Sequence, residues 1–529
     1  MIDLLISGGE IYDGLGGPPM KGDVAVHDDE IVAVSAVDPN EEVRTRVDAT
    51  GKAVAPGFIN MLSHSHISLL HDGRSLSELL QGVTTEVVGE GTSMGPLTPP
   101  VAEELRRGSN LPLEVTWTRL SEYLAYAERS GISQNLASFV GAATLRACVL
   151  GYEDRSATPA ELDTMVGLLA EEMADGALGV GSALIYPPGS YADTEELTTL
   201  CVEAGRHGGM YISHIRNEGP RLLSAVDELV EICRAAECRG EVYHLKAVGR
   251  PNWPLLPQAI DRIEQARAVG VAVTADVYPY TATSTGLNSG IPDEYHQGGS
   301  NALYDRLADA SQRKEIARQM RAEGRWSDPD SVVVLGVRSP ELKDLQGRSL
   351  REIAQEWGLD PVAAGVELIA RDRSRVSCAF FSLSEENLRL VLSQPWVSVG
   401  SDGVSMAPEG AFLQESTHPR AYGTFARVLG RYVREEHVLT LSEAIRRMTS
   451  HPAQTLGLND RGRLAPGSKA DIVVFDPAAV EERATFEEPH HLAAGPSEVV
   501  VNGQVAVLGG KYTGVLAGRA LRGPGASHR

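Results

Sequence analysis

Eight short apolar runs in the middle of the chain alternate with stretches of helical period, and few folds accommodate that rhythm. The runs are AVAPGFI, VTTEVVG, LASFVGA, ALGVGSA, GMYISHI, EVYHLKA, VAVTADVY and VSVGSDG. Runs of this length bounded by turn residues read as buried strands. Between them lie amphipathic segments such as ATPAELDTMVGLLAEEMADG and PRLLSAVDELVEICRAAECRG. The first carries Thr158 as an N-cap, Glu161 three residues later and Gly176 near its end, the signals of a helix start and stop. Strands alternating with helices predict an α/β fold, a (β/α)8 TIM-like barrel. In such a barrel the chemistry sits where strands end and loops begin.

The two ends of the chain have a different character. DLLISGGEIYD, DVAVHDDEIVAVS and RVDATGKAVAPGF are short strands, with turns expected at Gly8-Gly9 and Asp28-Asp29, which predicts β-hairpins. The C-terminal ADIVVFDP and EVVVNGQVAVLGGKYTGVLAG repeat the pattern. The expected organisation is a small β-sandwich domain built from both termini, residues 1–54 and 465–529, with the barrel, residues 55–464, inserted between them. One connection is too long for the barrel rhythm. Over a hundred residues separate VAVTADVY, ending at Tyr278, from VSVGSDG, starting at Val397, and they include the charged, helical ALYDRLADASQRKEIARQMRAEG. An insertion at about 288–345 is expected, read equally as a lid over the strand ends or as surface decoration.

The 529 residues carry 48 basic and 71 acidic side chains, a formal net charge of −23. A nucleic-acid partner is excluded, because phosphates need a basic face. No uncharged apolar stretch of about 20 residues is present, so neither a membrane span nor a membrane partner is expected. The N-terminal MIDLLISGGEIYDG has no basic region and carries Asp3, unlike a signal peptide. Cys148, Cys201, Cys233, Cys238 and Cys378 are odd in number and form no CxxC pair. Buried free thiols in a reducing, cytoplasmic compartment follow.

Four polar residues fall at the ends of candidate strands: Glu90 after VTTEVVG, His214 in GMYISH, His244 in EVYHLK and Asp402 in VSVGSD. An isolated histidine in an apolar strand is commonly a satisfied core residue, and a single carboxylate there is commonly a helix cap. Four at the same end of four strands would converge on the barrel axis, where unpaired carboxylates and imidazoles are costly to bury. A metal ion resolves that cost. Two imidazoles and one carboxylate leave a tetrahedral zinc with one open position. Asp402 then suits a general base that takes a proton from the attacking water and returns it to a leaving amine. The reaction is amide hydrolysis.

At this point a resemblance covers nearly the whole chain. GGEIYDG and KAVAPGFI, then QGVTTEVVGEG, YISHIRNEG, YHLKAVGRPNW, DVYPYTATST, GSDG and HPRAYGTFARVLG, then AIRRMTSHPAQTLGLNDRGRLAPGSKADIVVFDP and VVVNG resemble the N-acyl-D-amino-acid deacylase (D-aminoacylase) family of the amidohydrolase superfamily. The resemblance implies one divalent metal ion, Zn2+ by preference, and a small N-acyl amino acid substrate. It also implies association with copies of the same chain, as barrels of this type often form. Related cyclic-amide or dipeptide hydrolysis, and a barrel that has lost catalysis and only binds, are the alternatives. Retention of Asp402, His214 and His244 argues against the last.

The family places an Asp-x-His-x-His motif directly after PGFI. In NMLSHSH that count assigns Asn60 to the Asp, Leu62 to the first His and His64 to the second. The HSH pair is therefore two residues out of register, and the chain resembles a subgroup lacking the pair, with His64 and His66 near the site by position only. The family's other ligands are a Cys after the second strand and histidines after the fifth and sixth. His214 and His244 match those histidines, and Glu90 stands at or beside the Cys. Lys246, Tyr186, Tyr278, Ser284 and Arg420 fall on the family's substrate-facing positions, and Lys and Arg suit an anionic α-carboxylate.

Overall fold

The turn chemistry of the N-terminus produces a meander of three antiparallel strands, Ile2–Ile11, Met20–His27 and Glu30–Ser35. The protein is described by a computed structural model covering residues 2–35, 37 and 41–526. Asp28 adopts φ 52° and makes the expected turn. Gly8-Gly9 does not make one. The pair lies inside the first strand, where the register with its partner shifts between Ile6 and Gly9, and Gly8 takes φ 74°. Glycine here absorbs a bulge, because a non-Gly residue at that φ is strained. The segment RVDATGKAVAPGF also differs from a hairpin. Val43–Asp48 and Ala53–Pro56 each pair parallel to Ile2–Ile11 and not with one another. Ile472–Phe475 pairs antiparallel with Ala53–Pro56 and continues through Pro496–Val501, Gln504–Leu508 and Lys511–Tyr512. Strands from both termini thus share one nine-stranded sheet.

The middle of the chain forms two parallel sheets. Phe58–Asn60, Val83–Val88 and Asn135–Ser138 make the first. Val140–Gly141, Gly179–Ala183, Met210–His214, Arg239–Val242, Val273–Val277 and Val397–Val399 make the second. They meet at both edges. Only Phe139 separates Asn135–Ser138 from Val140–Gly141, and its N–H donates to Val88 O at 2.9 Å. At the other edge His64 N donates to Gly403 O at 2.8 Å, beside a parallel bridge between Ser63 and Gly403. All eight runs point the same way, so their C-terminal ends share one face. Helices cover the outside. Pro159–Ala174 starts with the capping box expected of Thr158 and Glu161, and its Met165, Leu169 and Met173 enter the largest apolar core with Leu136, Val180 and Tyr211.

The long connection carries its own antiparallel sheet, Thr283–Gly286, Ser377–Phe380 and Val332–Gly336. Helices Gly299–Ala308, Ala310–Ala322, Leu350–Trp357 and Pro361–Asp372 pack on it around Leu303, Ile316, Val334, Ile353 and Leu368. All five cysteines are free, four of them buried and Cys148 partly so. No helix among the described residues is long and apolar enough to cross a membrane.

Candidate active site

Each of the four strand-end residues is carried to one face by the strand before it. His214 ends Met210–His214, and His244 follows Arg239–Val242 by two residues. Glu90 follows Val83–Val88 by two residues, and Asp402 follows Val397–Val399 by three. His244 and Asp402 adopt left-handed backbones, φ 38° and 49°. Such conformations cost of order 1–3 kcal/mol each and persist where surrounding structure dictates them. Here Asp276 Oδ1 accepts from His244 N at 3.1 Å, and Leu62 O accepts from Asp402 N at 2.9 Å. These bonds turn both side chains inward.

The side chains meet on the Glu90 carboxylate. Its Oε1 lies 2.9 Å from His214 Nδ1 and 3.4 Å from His244 Nε2. Its Oε2 lies 3.0 Å from His64 Nε2. The same His64 nitrogen is 2.9 Å from Asp402 Oδ1, and Asp402 Oδ2 is ion-paired to Arg420 Nη1 at 2.6 Å. Burial raises the Glu90 carboxyl, but bonds from His214, His244 and His64 outweigh it and hold the group well below the usual range. Asp402 is likewise opposed by burial, yet Arg420 and His64 bring it down to about 2. In the other direction, Asp402 and Glu90 overcome burial and raise His64 to about 9. Burial and Lys246 lower His244, but Glu218 and Glu90 lift it to about 10.

The carboxylates therefore demand positive charge at this point, which is what a divalent cation supplies. The donor set also fits one. Glu90, His214 and His244 offer ligand atoms that all lie within 4.8 Å of one another, and His64, Glu90 and Asp402 form a second such group around the same carboxylate. Two nitrogens and an oxygen in a buried pocket suit zinc and other divalent metals.

The placement of His64 differs from the expectation that it be a neighbour only. Leu62 is buried in an apolar cluster with Ile59, Met61 and Phe139, so it offers no ligand. The chain then turns so that His64 reaches both Glu90 and Asp402, whereas His66 lines the cavity without joining the cluster. A buried polar network sets that turn. Ser63 Oγ donates to Glu86 Oε2 at 2.7 Å and Ser75 Oγ to Glu86 Oε1 at 2.8 Å. Ser405 N donates to Ser65 Oγ at 2.8 Å. Asn60 Nδ2 donates to Ser401 Oγ at 2.7 Å.

Glu78 is fully buried near this network, and burial together with the Glu86 charge pushes its carboxyl well up. An acid whose folded pKa is raised stabilises fully below its ordinary value near 4.5, and that contribution is lost as pH rises toward the folded pKa. Wild type should therefore lose stability as pH rises above about 4.5, by up to about 1.4 kcal/mol per pH unit from this group. Glu78→Gln should flatten that loss, read from urea midpoints across the pH range. Parallel curves for the two proteins would show that Glu78 does not hold a proton.

The expected substrate-facing residues line the same cavity of about 1390 Å3 as Glu90, His64, His214, His244 and Asp402. Tyr186 donates to or accepts from Thr285 Oγ1 at 2.8 Å, with its ring 5.5 Å from that of His214. Tyr278 lies between Arg420, 4.9 Å from its ring centre, and Lys246, at 5.7 Å, and its hydroxyl has no hydrogen-bond partner among the described residues. Ser284 meets Arg420 through its carbonyl, at 3.3 Å. Lys246 Nζ donates to Glu218 Oε1 at 2.5 Å and lies 2.7 Å from His244 Nδ1.

Glu218 was not among the candidates. It faces the outer nitrogens of both histidines, His244 Nδ1 at 3.2 Å and His214 Nε2 at 3.6 Å. A carboxylate there favours the tautomers that turn His214 Nδ1 and His244 Nε2 toward Glu90. The four-residue step from His214 to Glu218 in SHIRNEG was the available signal.

Comparison with known proteins places the chain among amidohydrolases. Residues 381–507 match the model of an amidohydrolase family. The N-acyl-D-glutamate deacylase of Alcaligenes xylosoxydans xylosoxydans is 36% identical over 507 residues, which cover 95% of this chain and 93% of that one. The solved structure of N-acyl-D-glutamate deacylase from Bordetella bronchiseptica, complexed with zinc and a phosphonate mimic of the tetrahedral intermediate, is 31% identical. It superposes with a TM-score of 0.82 over 98% of this chain and 99% of that one. A solved D-aminoacylase, described as having a binuclear metal centre with one-metal activation and second-metal attenuation, is 32% identical. It has a TM-score of 0.82 over 99% of this chain and all of the other.

Proposed function

This chain belongs to the N-acyl-D-amino-acid deacylase family of the amidohydrolase superfamily, and from that premise we propose that it hydrolyses the amide bond of N-acyl-D-amino acids to a carboxylate and a free D-amino acid. The observation that carries the reading is the convergence of His214 Nδ1, His244 Nε2 and both Glu90 oxygens beside Asp402. The two abutting parallel sheets are read as one (β/α)8 barrel over 55–464, and the shared nine-stranded sheet as a β-sandwich domain of residues 1–54 and 465–529. The insertion, which contributes Asn288, Trp326 and Asp328 to the cavity wall, is read as the lid.

Glu90, His214 and His244 hold one divalent ion, zinc by preference. Such an ion polarises the substrate carbonyl and lowers the pKa of a water. Asp402 takes a proton at its carboxylate and returns it to the departing amine. His64 and Arg420 keep Asp402 ionised for that first step. Arg420 has five donors, so it can hold Asp402 with Nη1 and offer the rest to the substrate α-carboxylate. Tyr186, Tyr278, Ser284 and Lys246 complete the substrate wall.

A single ion is favoured for two reasons. Asp402 is already ion-paired to Arg420, and Leu62 leaves the second group with one histidine. The D preference is supported by the relatives. Protein purified without added metal should hold about one equivalent of zinc per chain. It should release the free amino acid from N-acetyl-D-methionine or N-acetyl-D-glutamate and not from the L forms. Metal-free protein, or no turnover of any D substrate after zinc loading, would sink the reading.

A further inference from the structure

The cavity wall contributed by the insertion presents a cation that the deacylation chemistry leaves unused. Arg375 lines the cavity, and its guanidinium forms no hydrogen bond or ion pair among the described residues. Other cations of the wall are engaged: Lys246 with Glu218, Arg420 with Asp402, and Arg373 with Asp305 at 2.9 Å. In a chain of net charge −23, Arg375 is exposed at the cavity wall with no carboxylate ion-paired to it, so its guanidinium is available to an anion.

Two further observations place and fix it. From the metal ligands, Tyr186 lies 5.5 Å ring to ring from His214 and bonds Thr285. The next residue, Gly286, runs under Arg375, so that a Cβ on Gly286 would sit 3.1 Å from Arg375 Nε. Burial and Glu90 push the Tyr186 hydroxyl up, while Thr285 and the Arg375 charge act in the opposite sense. The segment that carries Arg375 is strained on both sides, with Arg373 at φ 46° and the buried Val376 at φ 52°. A left-handed β-branched residue is a genuine outlier, and such strain collects at ligand clamps. Hydrogen bonds hold it: Val376 N to Ser374 Oγ at 3.1 Å, Leu287 N to Val376 O at 2.8 Å and Asn288 N to Arg375 O at 3.3 Å. A Cβ on Gly286 would meet Asn288 Oδ1 closer still, so a side chain at position 286 would crowd both Asn288 and Arg375.

We propose that Arg375 is a specificity-determining residue that binds the side-chain carboxylate of an acidic substrate, making the preferred substrates N-acyl derivatives of D-glutamate and D-aspartate. The assignment rests on the deacylase reading above. Arg420 and Arg375 then take the two carboxylates of one substrate, the α-carboxylate beside Asp402 and the side-chain carboxylate beyond Tyr186. A guanidinium matches a carboxylate with two parallel donors, which an uncharged amide of the same shape cannot reciprocate.

The test compares N-acetyl-D-glutamate with its uncharged isostere N-acetyl-D-glutamine on the zinc-loaded enzyme. Wild type should favour the glutamate by at least about tenfold in kcat/KM. Arg375→Gln should collapse that ratio by at least about tenfold, chiefly through KM for the glutamate, and Arg375→Lys should restore part of it. An equal preference in wild type, or an unchanged ratio in Arg375→Gln, overturns the proposal. N-succinyl-D-alanine against N-acetyl-D-alanine places the extra carboxylate on the acyl side instead. A preference there with none for glutamate also overturns the side-chain assignment. Calorimetric binding of D-glutamate against D-glutamine reads the same contact without turnover. A tenfold preference lost in Arg375→Gln upholds Arg375 even if hydrolysis fails, and equal affinities overturn it.

Discussion

Asp402→Asn is expected to leave the metal content at its wild-type level and to lower kcat by about 10²–10⁴-fold, the range for loss of a positioned general base. The amide keeps the shape of the side chain and can still accept from His64 Nε2, which lies 2.9 Å from Asp402 Oδ1. It cannot take up a proton from water at neutral pH. The variant also loses the charge that Arg420 meets at 2.6 Å, so KM is expected to shift as well, and the kcat loss is the diagnostic part. Metal analysis and steady-state kinetics on the same preparation separate the two effects. Wild-type turnover in this variant would remove Asp402 from the mechanism, and loss of metal would make it a ligand instead of a base.

His214→Ala and His244→Ala should each reduce bound zinc to below about a tenth of the wild-type content and abolish turnover with it. Each change removes one of the two nitrogens that face Glu90 Oε1, at 2.9 and 3.4 Å, and two remaining ligands do not make a zinc site. A second readout follows from linkage. An ion that binds only the folded chain raises its stability by RT ln(1 + [L]/Kd), about 2.7 kcal/mol at a hundredfold excess over Kd. Zinc should therefore raise the wild-type melting temperature and leave both variants unmoved. A variant that still melts higher with zinc would show that the ion sits elsewhere, with His64, Glu90 and Asp402 as the obvious alternative group.

Much of the site was legible because strand ends are local features. A buried strand needs an unbroken apolar run, so a histidine or carboxylate closing such a run stands out, as His214 does in MYISH and Asp402 does just after VSVGS. The capping box at Thr158 and Glu161 was equally local. Count-based reading also placed Leu62 where a first histidine would be expected, and that residue lies in an apolar cluster. The same reading made His64 a bystander. Its contacts are with Glu90 and with Asp402, 338 residues away, and a turn built by Ser63, Ser65 and Glu86 carries it there. No spacing within NMLSHSH encodes that turn, because its partners come from three separate parts of the chain.

The ends of the molecule make the same division. Apolar alternation marked the terminal strands, since each needs only one buried face. It did not decide their partners. Gly8-Gly9 became a bulge inside Ile2–Ile11, and Val43–Asp48 and Ala53–Pro56 paired with that strand. Pairing depends on which edges come together once the chain has closed, a long-range choice that local turn chemistry does not control. Glu218 and Arg375 belong to that second kind. Each is an ordinary charged residue in its own segment, and only packing sets one against the backs of two histidines and the other over Gly286 on the wall of the cavity. The sequence by itself determined which residues could carry the chemistry, because residue type and strand position are local. The tertiary structure decided which of them touch, because contact between distant segments is set by the packing of the whole chain.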